Sequence, residues 1–183
     1  MGFMLSLNLM KKEIKSMMKT RLMGTIPYTY RDLDSPDEIK EKKIDGVHAY
    51  CFCGDKLILV YADKKGYWTP AGGAVEKGET VEEAVIREVK EETNMKVLKQ
   101  KIIGYQEVFE PTKITLQTRS VCLVEPYGPF VSDPDGDITA IKLINPKDYK
   151  KYFDWGEVGD YIMQRALGLL KDLKPYTEAK SFL

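Results

Sequence analysis

The chain has 183 residues, the length of one ordinary domain, and its 43% hydrophobic and 31% charged residues exclude a disordered or collagen-like protein. Lys plus Arg and Asp plus Glu each number 28, so the formal net charge is zero. Because no overall positive charge would attract a phosphate backbone, we expect no nucleic-acid partner. The longest uncharged stretches, of ten residues, are too short for a transmembrane helix, and three cysteines favour a reducing, cytoplasmic compartment over a disulfide framework.

The first predicted element is an amphipathic helix at the N-terminus. Apolar residues recur at spacings of four and three from Phe3 to Met17, and lysines lie between them. We expect this helix to pack on the domain or on a second copy, and its heptad-like spacing raises the hypothesis of a homodimer. We therefore assign residues 1–43 to a helical arm with a connecting segment, and 44–183 to the main domain.

Strands and helices are predicted from Gly46 onward. Apolar runs at 47–52 and 57–61 predict a hairpin around Gly54-Asp55, and a charged helix is expected from Glu79-Thr80 to about Thr93. The remaining predicted elements are strands at 97–106, 114–124 and 138–144, a short helix from Asn145-Pro146, and a last helix with an apolar stripe between Val158 and Leu173. This order predicts an α+β domain built as an α/β/α sandwich.

Three glutamates on the predicted helix carry the main chemical signal. At about 100° per residue, Glu88, Glu91 and Glu92 fall within an arc of roughly 100°, so they repel one another. A hard divalent cation would offset this repulsion, and Mg²⁺ is favoured because it shares its coordination positions with water and substrate phosphates. Glutamates on a helix more often form a solvent-exposed face, so the surrounding sequence must distinguish that face from a metal site.

That surrounding sequence resembles the Nudix box. The box is a glycine, five residues, a glutamate, seven residues, Arg-Glu, an aliphatic, any residue, Glu-Glu, any residue, a glycine and an aliphatic. The matching positions are Gly73, Glu79, Arg87, Glu88, Val89, Glu91, Glu92 and Met95. Asn94 stands where the family has glycine, and because asparagine also tolerates the left-handed conformation, we expect an intact helix end. The order of strands also resembles a Nudix fold with a mixed sheet.

The resemblance implies a reaction and a role for each matching residue. The reaction is hydrolysis of a pyrophosphate bond in a nucleoside diphosphate joined to another group, by water activated on Mg²⁺ or Mn²⁺. Arg87 would orient the glutamates, and Glu79 would hold the loop at the start of the helix. The implied metal ligands are Glu88, Glu91, Glu92 and the backbone carbonyl of Gly72.

The general base is left open by the box. Glu91 and Glu92 are candidates within it. Asp135 and Asp137, which precede the last predicted strand, are candidates outside it, with Glu107 behind them. An ordinary surface turn is the simpler explanation of residues 133–137.

Two other groups of side chains have alternative interpretations. His48 with Cys51, Cys53 and Cys122 would supply four zinc ligands, although buried cysteines more often pack as small hydrophobes. Aromatic residues that could stack on a nucleobase, or pack in the core, are Tyr149, Tyr152, Phe153 and Trp155, with Tyr105 and Phe109 as further candidates.

The main hypothesis is therefore a Mg²⁺-dependent Nudix pyrophosphohydrolase acting on a small nucleotide. The alternative is a nucleotide-sensing module with the same fold and no catalysis, which degenerate box glutamates would favour. A third hypothesis is an interaction role built on the N-terminal arm. RNA decapping is less favoured because no extended basic stretch accompanies the domain.

Overall fold

The computed structural model describes residues 12–20 and 23–173. Two α-helices, α1 (Val81–Thr93) and α2 (Gly156–Leu173), lie in this part of the chain, with short 3-10 helices at Pro36–Ile39 and Pro146–Lys151. The strands are β1 (Glu13–Thr20), β2 (Gly24–Asp32), β3 (Gly46–Cys53), β4 (Lys56–Ala62), β5 (Tyr67–Thr69), β6 (Met95–Phe109), β7 (Ile114–Pro126) and β8 (Ile138–Ile144). Neither α-helix is apolar enough over a sufficient length to cross a membrane.

The strands form one mixed sheet in the order β1-β2-β6-β7-β3-β4-β5, with β8 paired to β4. The pairing of β3 with β7 is parallel, whereas β6 and β7 run antiparallel over most of their length. The predicted hairpin is confirmed as β3 and β4, with Gly54 at positive φ in its turn. The predicted strand over Ile138–Ile144 is confirmed as well.

Each α-helix covers one face of this sheet, which confirms the predicted sandwich. We call the two sides the α1 face and the α2 face. Successive side chains of β3 alternate between them, since strand side chains point to opposite faces in turn. On the α1 face, Val47, Ala49 and Cys51 pack with Ala84, Val85 and Val89 of α1. On the α2 face, Tyr50 and Phe52 pack with Val158, Ile162 and Ala166 of α2.

The N-terminal segment differs from its predicted helix. Glu13–Thr20 form a strand, not a helix, and pair antiparallel with β2, where Ile14 lies opposite Tyr30. Ile14 is buried and its neighbours Glu13 and Lys15 are exposed, the alternation of a strand. The spacing of four and three is outweighed here because β2 offers an edge for backbone hydrogen bonds. Residues 1–11, which carry the rest of the predicted helix, lie outside the described residues.

The segment predicted as a connection also contributes to the sheet. Gly24–Asp32 form β2, which pairs with β6 through Tyr28 to Asp32. The sheet therefore extends to both sides of residue 44, where the main domain was predicted to begin. The assignment of 1–43 as a separate unit stays a prediction.

Candidate active site

Helix α1 carries the three glutamates, and its ends are defined by their own side chains. Thr80 is the N-cap: its hydroxyl accepts from the N–H of Glu83 at 3.2 Å, and the Glu83 carboxylate accepts from the N–H of Thr80 at 2.8 Å. At the other end, Asn94 adopts a left-handed conformation with φ of 54°. Its side-chain amide donates to the carbonyl of Pro129 at 2.9 Å. The expected intact helix end is confirmed.

A glycine pair brings the preceding loop against the helix carboxylates. The N–H of Gly72 donates to Oε2 of Glu92 at 2.7 Å. A Cβ on Gly72 would lie 2.0 Å from the carbonyl oxygen of Val47, and a Cβ on Gly73 would lie 2.4 Å from Oε1 of Glu88. At Gly72 only glycine avoids a clash with the backbone of β3, whereas a side chain at position 73 would displace the carboxylate of Glu88.

Arg87 holds the acidic side chains around it. Its Nε and Nη2 donate to the two carboxylate oxygens of Glu79, each at 2.9 Å, a bidentate pair. Its Nη1 donates to Glu88 at 2.8 Å and to Glu91 at 3.3 Å. Nη2 also reaches the carbonyl of Ala74 at 2.9 Å. Glu79 also accepts from the N–H of Glu76 in the preceding loop at 3.0 Å. The contacts predicted for Arg87 and Glu79 are thus present, and Arg87 is hydrogen-bonded to two of the three glutamates.

The electrostatics of this corner favour a bound cation. Glu92 is only 8% exposed, and burial raises its pKa to about 8, while the hydrogen bond from Gly72 opposes that shift. Burial also raises the pKa of Glu88, against the opposing influence of Arg87. The hydrogen bonds from Arg87 lower the pKa of Glu79 instead. One guanidinium is therefore shared by three carboxylates, and both Glu88 and Glu92 keep a raised pKa.

The donor set suits a hard metal ion, although its side chains are not gathered as in a filled site. No three His, Cys, Asp or Glu side chains within 12–20 and 23–173 are arranged to hold a metal as they stand. The three glutamates offer only oxygen donors, the kind that Mg²⁺ and Mn²⁺ prefer. Gly72 and Gly73 add no side chain that would block an approaching ion. The residues present therefore fit the predicted cation.

The loop before β8 is organised by Asp133, whose role the sequence analysis did not single out. Its buried carboxylate accepts from the N–H groups of Asp137 and Ile138, each at 3.0 Å, as in the Asx turns that Asp-Pro-Asp-Gly favours. The charge of Asp135 adds to the burial that raises the pKa of Glu88, and the charge of Asp133 acts on Glu92 in the same direction. Asp137 pairs with Lys64 instead.

Glu107 has a different partner. Its carboxylate accepts a hydrogen bond from Nε of Arg31 at 3.1 Å, and this contact joins the neighbouring strands β2 and β6. No described contact brings it to the glutamates of α1. The structure therefore supports Asp135 over Glu107 as a neighbour of the site.

The four proposed zinc ligands do not come together. Cys51, Cys53 and Cys122 lie on the α1 face within or against the apolar core, and all three are free thiols. His48 alternates with Cys51 along β3 and projects onto the α2 face, where it contacts Trp155. The cysteines thus pack as small hydrophobes. The zinc interpretation is wrong because an odd spacing along a strand places two side chains on opposite faces.

The aromatic candidates divide between core and surface. Tyr149 and Phe153 are buried in the core on the α2 face, whereas Tyr152 and Trp155 are partly exposed at its border. Tyr105 is buried in a separate small cluster with Leu33 and Ile39, and Phe109 is exposed. Tyr152 and Trp155 are therefore the candidates that reach solvent, Tyr152 beneath the amino group of Lys142 and Trp155 beside His48 and Arg119.

Sequence reasoning missed Arg119, the most deeply buried cation of the α2 face. It lies directly opposite His48 in the parallel pairing of β3 and β7. Its Nη1 donates to Nδ1 of His48 at 3.2 Å and to the carbonyl of Thr118 at 2.9 Å, and its Nη2 donates to the side-chain oxygen of Gln106. The available signal was an arginine inside the apolar strand sequence from Thr118 to Val124.

A cleft of about 730 Å³ opens between residues 36–44 and the loop before α1. Its lining includes Glu79 but none of Glu88, Glu91 and Glu92. The convergence of the acidic side chains, rather than the size of this cleft, therefore locates the candidate site.

The family model for the NUDIX domain matches residues 42–165. The chain belongs to the Nudix family. This confirms the family that the spacing of the box predicted, and the strands, the helix α1 and the glycine loop described above are those of a Nudix domain.

Two curated relatives are similar to parts of this chain. The "Uncharacterized Nudix hydrolase YvcI" of Bacillus subtilis (strain 168) is 38% identical over 50 residues, which cover 27% of this chain and 32% of that protein. The "Putative 8-oxo-dGTP diphosphatase YtkD" of the same organism is 33% identical over 99 residues, 54% of this chain and 59% of that protein. This Nudix chain therefore spans about one third to three fifths of these curated relatives.

A solved structure shares the fold across nearly the whole chain. The Bacillus subtilis pyrophosphohydrolase BsRppH superposes with a TM-score of 0.63 at 21% sequence identity, covering 89% of this chain and 99% of that one. At this identity the likeness establishes the Nudix fold and leaves the substrate to be argued from the site.

Proposed function

We propose that this protein is a Nudix pyrophosphohydrolase that uses Mg²⁺, or Mn²⁺ in its place, to cleave a small nucleoside diphosphate joined to another group. The observation that carries the proposal is that Arg87 and the glycine loop between them hold all three box carboxylates by hydrogen bonds. Arg87 binds Glu88 and Glu91, while buried Glu92 binds the N–H of Gly72. A solvated acidic face would not need this scaffold.

Each residue of the cluster has a distinct task in the proposed reaction. Glu88, Glu91 and Glu92, with the carbonyl of Gly72, would hold the metal. The bound ion would neutralise phosphate oxygens and lower the pKa of an attacking water. Arg87 is a positioning residue, because its contacts reach the carboxylates and the backbone of Ala74.

The general base remains a choice among carboxylates on the two sides of the cluster. Glu91 and Glu92 lie on α1, and Asp135 and Asp137 lie in the loop before β8. We favour Asp135 over Asp137 because the charge of Asp135 acts on Glu88, whereas Asp137 is engaged by Lys64. A base must lie within reach of the water that it deprotonates.

The substrate class is proposed as a small nucleotide. The chain's similarity to YtkD, a putative 8-oxo-dGTP diphosphatase that is 33% identical over 54% of this chain, supports including nucleoside triphosphates among the candidates. We further propose a cytoplasmic location, on the ground of three free thiols.

The homodimer through the arm also stays a proposal. The test is to delete residues 1–11, which keeps the residues of β1, and to measure the molar mass by light scattering. A mass per particle that does not fall to that of a monomer would contradict a dimer formed through the arm.

The test is a substrate panel assayed with and without Mg²⁺: nucleoside triphosphates, nucleotide sugars, ADP-ribose and dinucleoside polyphosphates. We expect turnover of at least one class, and we expect Glu91→Gln and Glu92→Gln to lower kcat by at least about 100-fold, because even outer-shell partners of a metal typically contribute 10–100-fold. Glu82→Gln is the matched control, since the same change on the same helix removes no contact to the cluster.

Three outcomes would contradict the proposal. The first is no turnover of any class, and the second is unchanged kcat in both glutamine variants. The third is Mg²⁺-dependent nucleotide binding in calorimetry without any product, which would support the non-catalytic sensing module instead.

A further inference from the structure

Asn94 joins the end of helix α1 to the loop between β7 and β8, residues 127–137. Its backbone N–H donates to the carbonyl of Lys90 at 2.9 Å, and its φ of 54° then turns the chain out of the helix. From this position its side-chain amide donates to the carbonyl of Pro129 at 2.9 Å, and its own carbonyl accepts from the N–H of Tyr127 at 3.0 Å. Two hydrogen bonds therefore fasten the start of the loop to the helix that carries the box glutamates.

The side-chain hydrogen bond of Asn94 is separate from its role at the helix end. The left-handed conformation suits glycine best, and asparagine is among the few other residues that adopt it readily. Glycine, which the box has at this position, would keep the conformation and the backbone contact with Tyr127. It would lose the donor to Pro129. The amide of Asn94 thus adds an attachment that the capping of the helix does not require.

The same loop is attached at its other end to the turn between β4 and β5. The N–H of Asp63 in that turn donates to the carbonyl of Asp137 at 3.0 Å. Between the two ends, the buried carboxylate of Asp133 accepts from the N–H of Asp135 at 3.4 Å and from that of Asp137 at 3.0 Å. Asp135, which is itself exposed, therefore lies between two points of attachment, one of which is Asn94.

The loop lies on the side of the sheet that carries the acidic cluster. Phe130, the residue after Pro129, packs against the core of the α1 face. Burial is the main cause of the raised pKa of Glu88, and the charge of Asp135 adds to it. The attachment by Asn94 and the approach of Asp135 to the glutamates are therefore parts of one arrangement.

We propose that Asn94 is a positioning residue, whose side-chain amide holds the loop between β7 and β8 so that Asp135 keeps its place beside the box glutamates. It acts through Asp135 and does not contact the substrate. This inference rests on the proposed function, in which Asp135 is the favoured general base outside the box. Because a base must lie within reach of the water that it deprotonates, release of the loop slows the chemical step and leaves substrate affinity nearly unchanged.

The experiment is a double-mutant cycle of Asn94→Gly and Asp135→Asn. Asn94→Gly keeps the left-handed conformation and removes the side-chain donor. We expect it to lower kcat by about tenfold, less than the loss of the base itself, and to change KM by less than about twofold. In the Asp135→Asn background the same change should lower kcat by less than about twofold, because a residue that acts through Asp135 then has nothing left to position.

Asn145→Gly is the matched control. Asn145 precedes the short helix Pro146–Lys151, and its side chain accepts from the N–H of Lys147 at 3.0 Å. The control therefore makes the same replacement at another helix end and also removes one side-chain hydrogen bond, at a place outside the loop. We expect kcat within about twofold of the wild-type value.

Hydrogen exchange tests the attachment without any substrate. Amide groups of the loop that donate hydrogen bonds include those of Tyr127, Gly136 and Asp137. In Asn94→Gly we expect the amides of residues 127–137 to exchange about three- to tenfold faster, the factor that the loss of one hydrogen bond provides. Exchange in α2, which lies on the other face of the sheet, should stay unchanged.

The outcomes separate this inference from the proposed function. Unchanged kcat in Asn94→Gly would overturn the inference, and so would an equal loss of kcat in both backgrounds of the cycle, since Asn94 would then act through the helix alone. Unchanged exchange of the loop would overturn the attachment itself. If no member of the substrate panel is cleaved, the proposed function fails, and hydrogen exchange still decides whether Asn94 holds the loop.

Discussion

Two arginines lie on opposite faces of the sheet in contrasting electrostatic surroundings. On the α1 face, Arg87 is hydrogen-bonded to three carboxylates, those of Glu79, Glu88 and Glu91. On the α2 face, Arg119 is nearly fully buried and meets only neutral acceptors. The first cation is outnumbered by the anions around it, and the second has no anion.

This contrast indicates what each face lacks. The α1 face has an excess of carboxylate, and burial raises the pKa of Glu92 to about 8, so a cation would relieve it. The α2 face has an unpaired guanidinium donor, so a hydrogen-bond acceptor would relieve it.

The largest expected effect is a loss of kcat when the general base is removed. If Asp135 is the general base, Asp135→Asn lowers kcat by about 100-fold or more, the usual contribution of a positioned base. Asp137→Asn is the matched control, and we expect a change of less than about threefold because Asp137 is held by Lys64. Steady-state kinetics at saturating Mg²⁺ measure both. A change of less than about threefold in both variants would instead place the base on α1.

Removal of Arg87 should have the next largest effect. Arg87→Met leaves Glu79, Glu88 and Glu91 without their shared donor, so we expect kcat to fall about 10–100-fold, as for other residues that orient metal ligands. Arg87→Lys keeps the charge but loses the bidentate contact with Glu79, so it should restore only part of the activity. Full activity in the methionine variant would show that the carboxylates need no scaffold.

The smallest expected effect is that of removing Arg119, which should change the stability of the fold very little. In Arg119→Met, lost hydrogen bonds of about 1 kcal/mol each are offset by relief of a buried charge, so the free energy of unfolding should change by less than about 1 kcal/mol. Arg165→Met is the control on the same face. It leaves buried Asp32 without its cation and should cost about 3 kcal/mol.

Urea denaturation with an unchanged m-value measures this difference. If Arg119→Met lost as much stability as Arg165→Met, Arg119 would be a structural residue. The contrast between the two faces would then have no functional meaning.

Local sequence was sufficient for several elements. The hairpin around Gly54, the start of α1 near Thr80 and the left-handed end at Asn94 depend on neighbouring residues, and all three were predicted. The N-terminal strand was not, because the spacing of Ile14, Met17 and their neighbours fits a helix, and because its partner β2 lies in a segment that was predicted as a connection.

The sequence by itself determined the family and the identity of the acidic side chains, because the box residues occupy one helix and the loop that enters it. Only the tertiary structure decided that Arg87 binds Glu79 and Glu88 while Gly72 binds Glu92, that His48 faces away from the cysteines, and that Arg119 meets His48 and Gln106. Contacts within a helix follow from periodicity. Contacts between strands depend on register and on which strands become neighbours, and for His48 and Arg119 these join residues 71 positions apart.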